Sequence, residues 1–176
     1  MANGSRLVLR RVADSLRLRN MCQEAPMAKV LVVEDEDDIR QLLIEDLEGR
    51  GHRVRGAGNG LIAIQQVKQR MPDIIFVDIM MPIMDGFDLI LKLRETPEIA
   101  AIPMVLVTAM NARDAEGKAR ELGVEHFLPK PWEPWSLDFV LDQILNPKST
   151  ARKGDGKLQV YPQRAPERST NYPSAA

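Results

Sequence analysis

Five times along the chain, a short run of mostly apolar, often β-branched residues is followed by a longer stretch where apolar residues return every third or fourth position. The runs are "KVLVV" (29–33), "HRVRGA" (52–57), "DIIFVD" (73–78), "MVLVT" (104–108) and "EHFL" (125–128). Length and composition predict strands there. After them, Ile39, Leu42, Leu43 and Leu47, then Ala63, Ile64 and Val67, then Phe87, Ile90 and Leu91 fall on single helical faces. Ala115, Ala119 and Leu122 do the same, as do Leu137, Val140, Leu141 and Ile144, so five helices are predicted. Asp38, with Gln41 three residues on, reads as a capping box for the first helix, which Gly49 and Gly51 end. Asn59 caps the second helix, which stops before Pro72, and Pro97 closes the third. Gly123 is the left-handed stop of the fourth, and Pro134 opens the last.

Strands apolar on both faces and alternating with helices predict an α/β fold: a (βα)5 chain in three α-β-α layers around an all-parallel sheet. Crossovers in such sheets are right-handed, and ligands gather at the carboxyl ends of the strands. The residues at those ends are therefore the ones to inspect. The first run stops at five consecutive acids, Glu34 to Asp38, the third at Asp78, the fourth at Thr108, and the fifth is followed by Lys130. In a parallel sheet these share one rim. Carboxylates that close repel one another, but hard oxygen ligands with little else suit Mg²⁺, which takes one or two carboxylates plus waters and phosphate oxygens.

Residues 28–146 resemble the receiver domain of bacterial two-component response regulators, of the chemotaxis-regulator type. The resemblance rests on "VVEDE", "VDIMMPIMDG" with Asp78, "LVTA" with Thr108, and "FLPKP" with Lys130. It implies a flavodoxin-like sheet of strand order 2-1-3-4-5. It also implies a phosphoacceptor at Asp78, a carboxylate nucleophile that forms an acyl phosphate. The metal ligands it implies are Asp35, Asp78 and the backbone carbonyl of Met80, with Glu34 reaching Mg²⁺ through water. Lys130 and Thr108 would bind phosphoryl oxygens, and Thr108 and Phe127 would form the switch that responds to modification. A cis Lys130–Pro131 peptide follows from the same likeness. Glu34 stands where Asp is commoner, and Trp132 where Phe is. Met80 and Met110 occupy the positions that tune dephosphorylation, and apolar side chains there predict a long-lived phosphoryl group. The implied partners are a histidine kinase or histidine phosphotransfer protein, and a downstream effector. A homodimer through the helix 4–strand 5–helix 5 face is a further option.

Composition narrows the rest. One Cys and two His exclude a disulfide framework and a histidine-based metal centre, and fit a reducing cytoplasm. His52 and His126 read as ordinary strand residues. No apolar run reaches membrane-spanning length. The net charge of −1 conceals a division: residues 1–26 carry five Arg against two acids, and residues 147–176 six Lys/Arg against two acids, which leaves −8 for the segment between. Residues 1–27 are expected to be a poorly ordered basic extension, 28–146 the receiver-like domain, and 147–176 a disordered basic tail. "MAKVLVVEDE" from Met27 reads as a natural start, making what precedes it an over-long start or an added leader.

The expected function is a stand-alone phosphorylatable switch acting through protein contacts rather than a turnover enzyme. An aspartyl-phosphate phosphatase of the haloacid-dehalogenase kind would need a second Asp two residues after the nucleophile, where Met80 stands. A transcription regulator would need a helix-turn-helix, and the basic tail offers only salt-dependent contacts without sequence readout, so no specific nucleic acid is expected. A receiver-like module that is never phosphorylated is disfavoured by the complete set of site residues.

Overall fold

The computed structural model describes residues 27–109 and 112–146, with the backbone alone at 112–116. The expected extension (apart from Met27), the tail at 147–176 and Met110 lie outside the described residues. The elements run β1 (Lys29–Val33), α1 (Asp37–Glu48), β2 (Arg53–Ala57), α2 (Gly60–Gln69), β3 (Ile74–Asp78) and α3 (Gly86–Arg94). A single helical turn, Pro97–Ala100, then precedes β4 (Met104–Thr108), α4 (Ala112–Glu121), β5 (His126–Pro129) and α5 (Pro134–Leu145). The five strands lie in the order β2-β1-β3-β4-β5, and every neighbouring pair is parallel.

Alternation along the inner strands β1, β3 and β4 explains why they lack a polar face, whereas the edge strand β2 exposes Arg53. Leu31, Val33, Ile75, Val77 and Leu106 join a core with α2, α3 and α4 residues such as Val67, Ile90 and Ala119. Their neighbours Val30, Val32, Ile74, Phe76 and Val105 join a second core with Leu43 and Leu47 of α1 and Leu137 and Val140 of α5. Full burial of one such side chain stabilises by roughly 1.5–3 kcal/mol, whereas an exposed ion pair contributes about 0–1 kcal/mol. The two apolar layers therefore hold the fold. Among the described residues, no helix is long and apolar enough to cross a membrane.

Register sets the rim. Val33 lies opposite Ala57 on one side and Val77 on the other. Asp78 lies opposite Val107, and Thr108 opposite Pro129. The ends of β1, β3, β4 and β5 are thus level to within about one residue.

Several local expectations hold. Asn59 accepts a hydrogen bond from the Ile62 N–H at 2.9 Å, Gly123 has φ +66°, and the Lys130–Pro131 peptide is cis. The capping box at Asp38 does not form. The chain enters α1 at Glu36, whose side chain makes no cap, and Gln41 reaches forward to Glu45 at 2.9 Å instead. Asp37 and Asp38 both sit in the first turn, where the free N–H groups favour negative charge. Pro97 does not directly close α3, which ends at Arg94; it opens the separate helical turn. Ile83, in the β3–α3 loop, has φ +72°, a backbone conformation that β-branched residues adopt rarely; its side chain is 93% exposed.

Candidate functional site

The site begins with the end of β3. Asp78 closes a strand whose five residues are all buried, and the Asp78 side chain is itself 3% exposed. Immediately behind it, α3 starts at Gly86. A Cβ at position 86 would collide with the Asp78 carbonyl oxygen and lie 2.9 Å from Ile79 Cα, so only glycine lets α3 approach this closely. The Gly86 N–H donates to the Ile79 carbonyl at 3.0 Å, and Asp85 caps the helix by accepting from the Asp88 N–H at 2.8 Å.

From β1 comes the acidic pair. Glu34 is buried, with its N–H donating to the Ala57 carbonyl at 3.1 Å, and Asp35 is half-buried. One carboxylate oxygen from each of Glu34, Asp35 and Asp78 lies within 4.8 Å of the others. From the residue just after β5 comes the counter-charge. The Lys130 N–H donates to the Thr108 carbonyl at 2.9 Å, which ties the two together. The Lys130 ammonium lies 2.6 Å from Glu34 Oε2 and 3.1 Å from Asp78 Oδ2.

Two of the three carboxylates thus share the Lys130 ammonium, and the protonation equilibria reflect it. Burial pushes the Glu34 carboxyl above its ordinary value of 4.5; the Asp78 charge adds to this, and together they outweigh the lowering by Lys130. Burial alone would lower the Lys130 ammonium, but its hydrogen bond to Glu34 and the charge of Asp78 hold it above its ordinary 10.5. Asp78 Oδ1 is buried and accepts no hydrogen bond. A buried carboxylate oxygen without a partner is costly. With three acids converging on it, this oxygen fits a hard divalent cation, and the donor set is all oxygen, as Mg²⁺ prefers.

The other predicted residues fall around this centre. Thr108 ends β4 and is buried. Phe127 is only 3% exposed and belongs to the α2–α3–α4 core layer, so its ring already lies inward. Met80 follows β3 by two residues with a side chain that is 66% exposed. It borders a groove of about 740 Å³, lined also by Ile39, Leu42 and Trp132, that reaches Asp78 and Lys130. Across that groove the Trp132 indole N–H donates to Asp46 Oδ2 at 2.7 Å, tying the β5–α5 loop to α1.

Sequence reading missed two residues at the centre. Gly86 was visible as the glycine after a capping Asp, but the closeness of β3 was not. Arg40 had one signal, a cation three residues after Asp37 at helical spacing. Its guanidinium donates to the Glu34 carbonyl at 2.8 Å and to the Asp37 carboxylate.

Residues 30–141 match the family model described as the response regulator receiver domain. The chain is 38% identical over 104 residues to the response regulator PleD of Caulobacter vibrioides, covering 59% of this chain and 23% of that protein. It is 30% identical over 119 residues to protein PilH of Pseudomonas aeruginosa, covering 68% of this chain and 98% of PilH. The chain thus spans about a quarter of PleD and nearly all of PilH. Among solved structures, the chemotaxis protein CheY4 of Vibrio cholerae superposes with a TM-score of 0.65 at 29% identity, covering 68% of this chain and 99% of that one.

Proposed function

The chain belongs to the response regulator receiver domain family, and on that premise we propose that Asp78 accepts a phosphoryl group from a histidine kinase or histidine phosphotransfer protein. The observation that carries this reading is the Asp78 Oδ1 atom, buried and without a hydrogen-bond partner, beside a lysine and two further carboxylates. Glu34, Asp35 and Asp78, with the Met80 carbonyl, would hold Mg²⁺. When bound, the ion neutralises anionic oxygen, so that a carboxylate and a phosphoryl group can approach each other.

The chain's own residues do the rest. An Asp78 carboxylate oxygen attacks phosphorus, the bond from phosphorus to the donor's imidazole nitrogen breaks, and the departing nitrogen takes up a proton. The product is an acyl phosphate. Lys130 exchanges its contact with Asp78 for one with a phosphoryl oxygen, and Thr108 donates its hydroxyl to another. The groove between α1 and the β5–α5 loop is the donor's approach to Asp78. The α4–β5–α5 face, carrying Phe127, then changes its protein contacts, whether with an effector or with a second copy. Phe127 already lies inward, so the response at that position is a shift in population rather than a full rotation of the ring.

Incubation with acetyl phosphate and Mg²⁺ tests the reading. Intact mass should rise by one phosphoryl group in the wild type and stay constant in Asp78→Asn or in excess EDTA. An unchanged wild-type mass defeats it. Met80 offers no hydrogen bond to an attacking water, so the added mass should persist well beyond seconds after the donor is removed.

A further inference from the structure

We propose that Arg40 is a positioning residue for the cation site: it fixes the backbone between Glu34 and Asp35 so that both carboxylates face Asp78. The inference rests on the reading that these acids hold Mg²⁺. Arg40 sits in the first turn of α1, yet its guanidinium reaches back beneath the acidic loop. One arm donates to the Glu34 carbonyl at 2.8 Å, and another engages the Asp37 carboxylate. The Glu34 carbonyl belongs to the peptide that joins Glu34 to Asp35. Holding that oxygen fixes the peptide plane from which both ligand side chains depart.

The far side of the guanidinium is also built. The Arg40 stem passes over the end of β2 at a glycine. A Cβ at Gly56 would lie 3.1 Å from Arg40 Cδ and 3.0 Å from Ile44 Cδ1, and one at Gly58 would lie 3.4 Å from Arg40 Nη1. The side chain is only 20% exposed. It is therefore clamped between β2, the acidic loop and the start of α1.

Charge and position predict opposite signs. Arg40 is a cation bonded to the acidic loop that carries two of the ligands, so by charge alone its removal would strengthen Mg²⁺ binding. If its work is to hold the loop, removal weakens binding, because a freed peptide lets the two carboxylates diverge. Groups that orient metal ligands typically change affinity by about 10–100-fold when lost.

The test is a calorimetric Mg²⁺ titration of the wild type, Arg40→Met and Arg40→Lys, each at a temperature where circular dichroism shows it native. Arg40→Met should bind Mg²⁺ about ten-fold more weakly. Arg40→Lys keeps the charge but cannot bridge both acceptors, so it should also bind more weakly. Acetyl phosphate labelling of both variants should recover at saturating Mg²⁺, since Asp78 and Lys130 are untouched. Tighter or unchanged binding by Arg40→Met overturns the proposal, as does wild-type affinity in Arg40→Lys. If Arg40→Met does not fold, Arg40→Lys decides alone. Absence of Mg²⁺ binding by the wild type would instead defeat the underlying reading of the site, and the inference with it.

Discussion

At the scale of residues, the site is an unbalanced set of charges. Glu34, Asp35 and Asp78 converge, and the Lys130 ammonium contacts Glu34 and Asp78. Without a cation this arrangement costs stability, because like charges repel strongly where water is partly excluded. Asp35→Asn should therefore raise the metal-free stability by on the order of 1 kcal/mol, while removing most of the stabilisation that Mg²⁺ confers. Urea denaturation with and without Mg²⁺ measures both; a metal-free protein weakened by the substitution would contradict the account. The identities of these acids and of Lys130 were legible from the strand ends. Their pairing was not. That Lys130 lies closer to Glu34 than to Asp78 depends on the extra methylene of Glu34 and on packing, which residue type does not encode. Arg40 escaped for a related reason: its key partner is a backbone carbonyl, which every residue carries.

At the scale of elements, periodicity told strand from helix because the central strands β3 and β4 are buried on both faces and the helices on one. Boundaries shifted by about a residue, as at β5, which begins at His126 rather than Glu125. Caps were less legible. Asp38 has the right chemistry for a cap but already lies inside α1, because the backbone turns two residues earlier, at Glu36. Asn59 has both the chemistry and the extended backbone. The junction of β3 with α3 is the element contact on which the chemistry most depends. Gly86→Ala would drive a methyl group into the backbone at Asp78, and no rotamer change relieves a backbone clash. The expected loss is about 3 kcal/mol, seen as a lower urea midpoint. Asp78 labelling by acetyl phosphate should fall in the fraction that remains folded. Wild-type stability in this variant would mean that α3 sits farther from β3 than described.

At the scale of the whole molecule, a buried and a half-buried histidine, His52 and His126, link stability to pH. Burial, and then the nearby Arg50, lower the pKa of His52 below its ordinary 6.5; burial likewise lowers His126, with Glu125 partly opposing. His52 Nδ1 accepts the Ala28 N–H at 3.3 Å, which requires an unprotonated nitrogen. As pH falls below about 6.5, the unfolded chain takes up protons that the folded protein resists, so this part of the stability is full above that pH and is lost below it. Thermal melts at stepped pH should show the decline, and His52→Gln, which can accept but not titrate, should flatten it. An equally steep decline in that variant would assign the effect elsewhere. A bound cation would act on the same equilibrium: Mg²⁺ at a hundred times its dissociation constant would add about 2.7 kcal/mol. The parallel sheet has one more consequence, for the order in which the protein is made. Lys130 directly follows β5, almost a hundred residues after Glu34. Until β5 emerges from the ribosome and docks, the nascent chain has Asp78 but not the ammonium that contacts it, so the acids of the rim meet their counter-charge only late in synthesis.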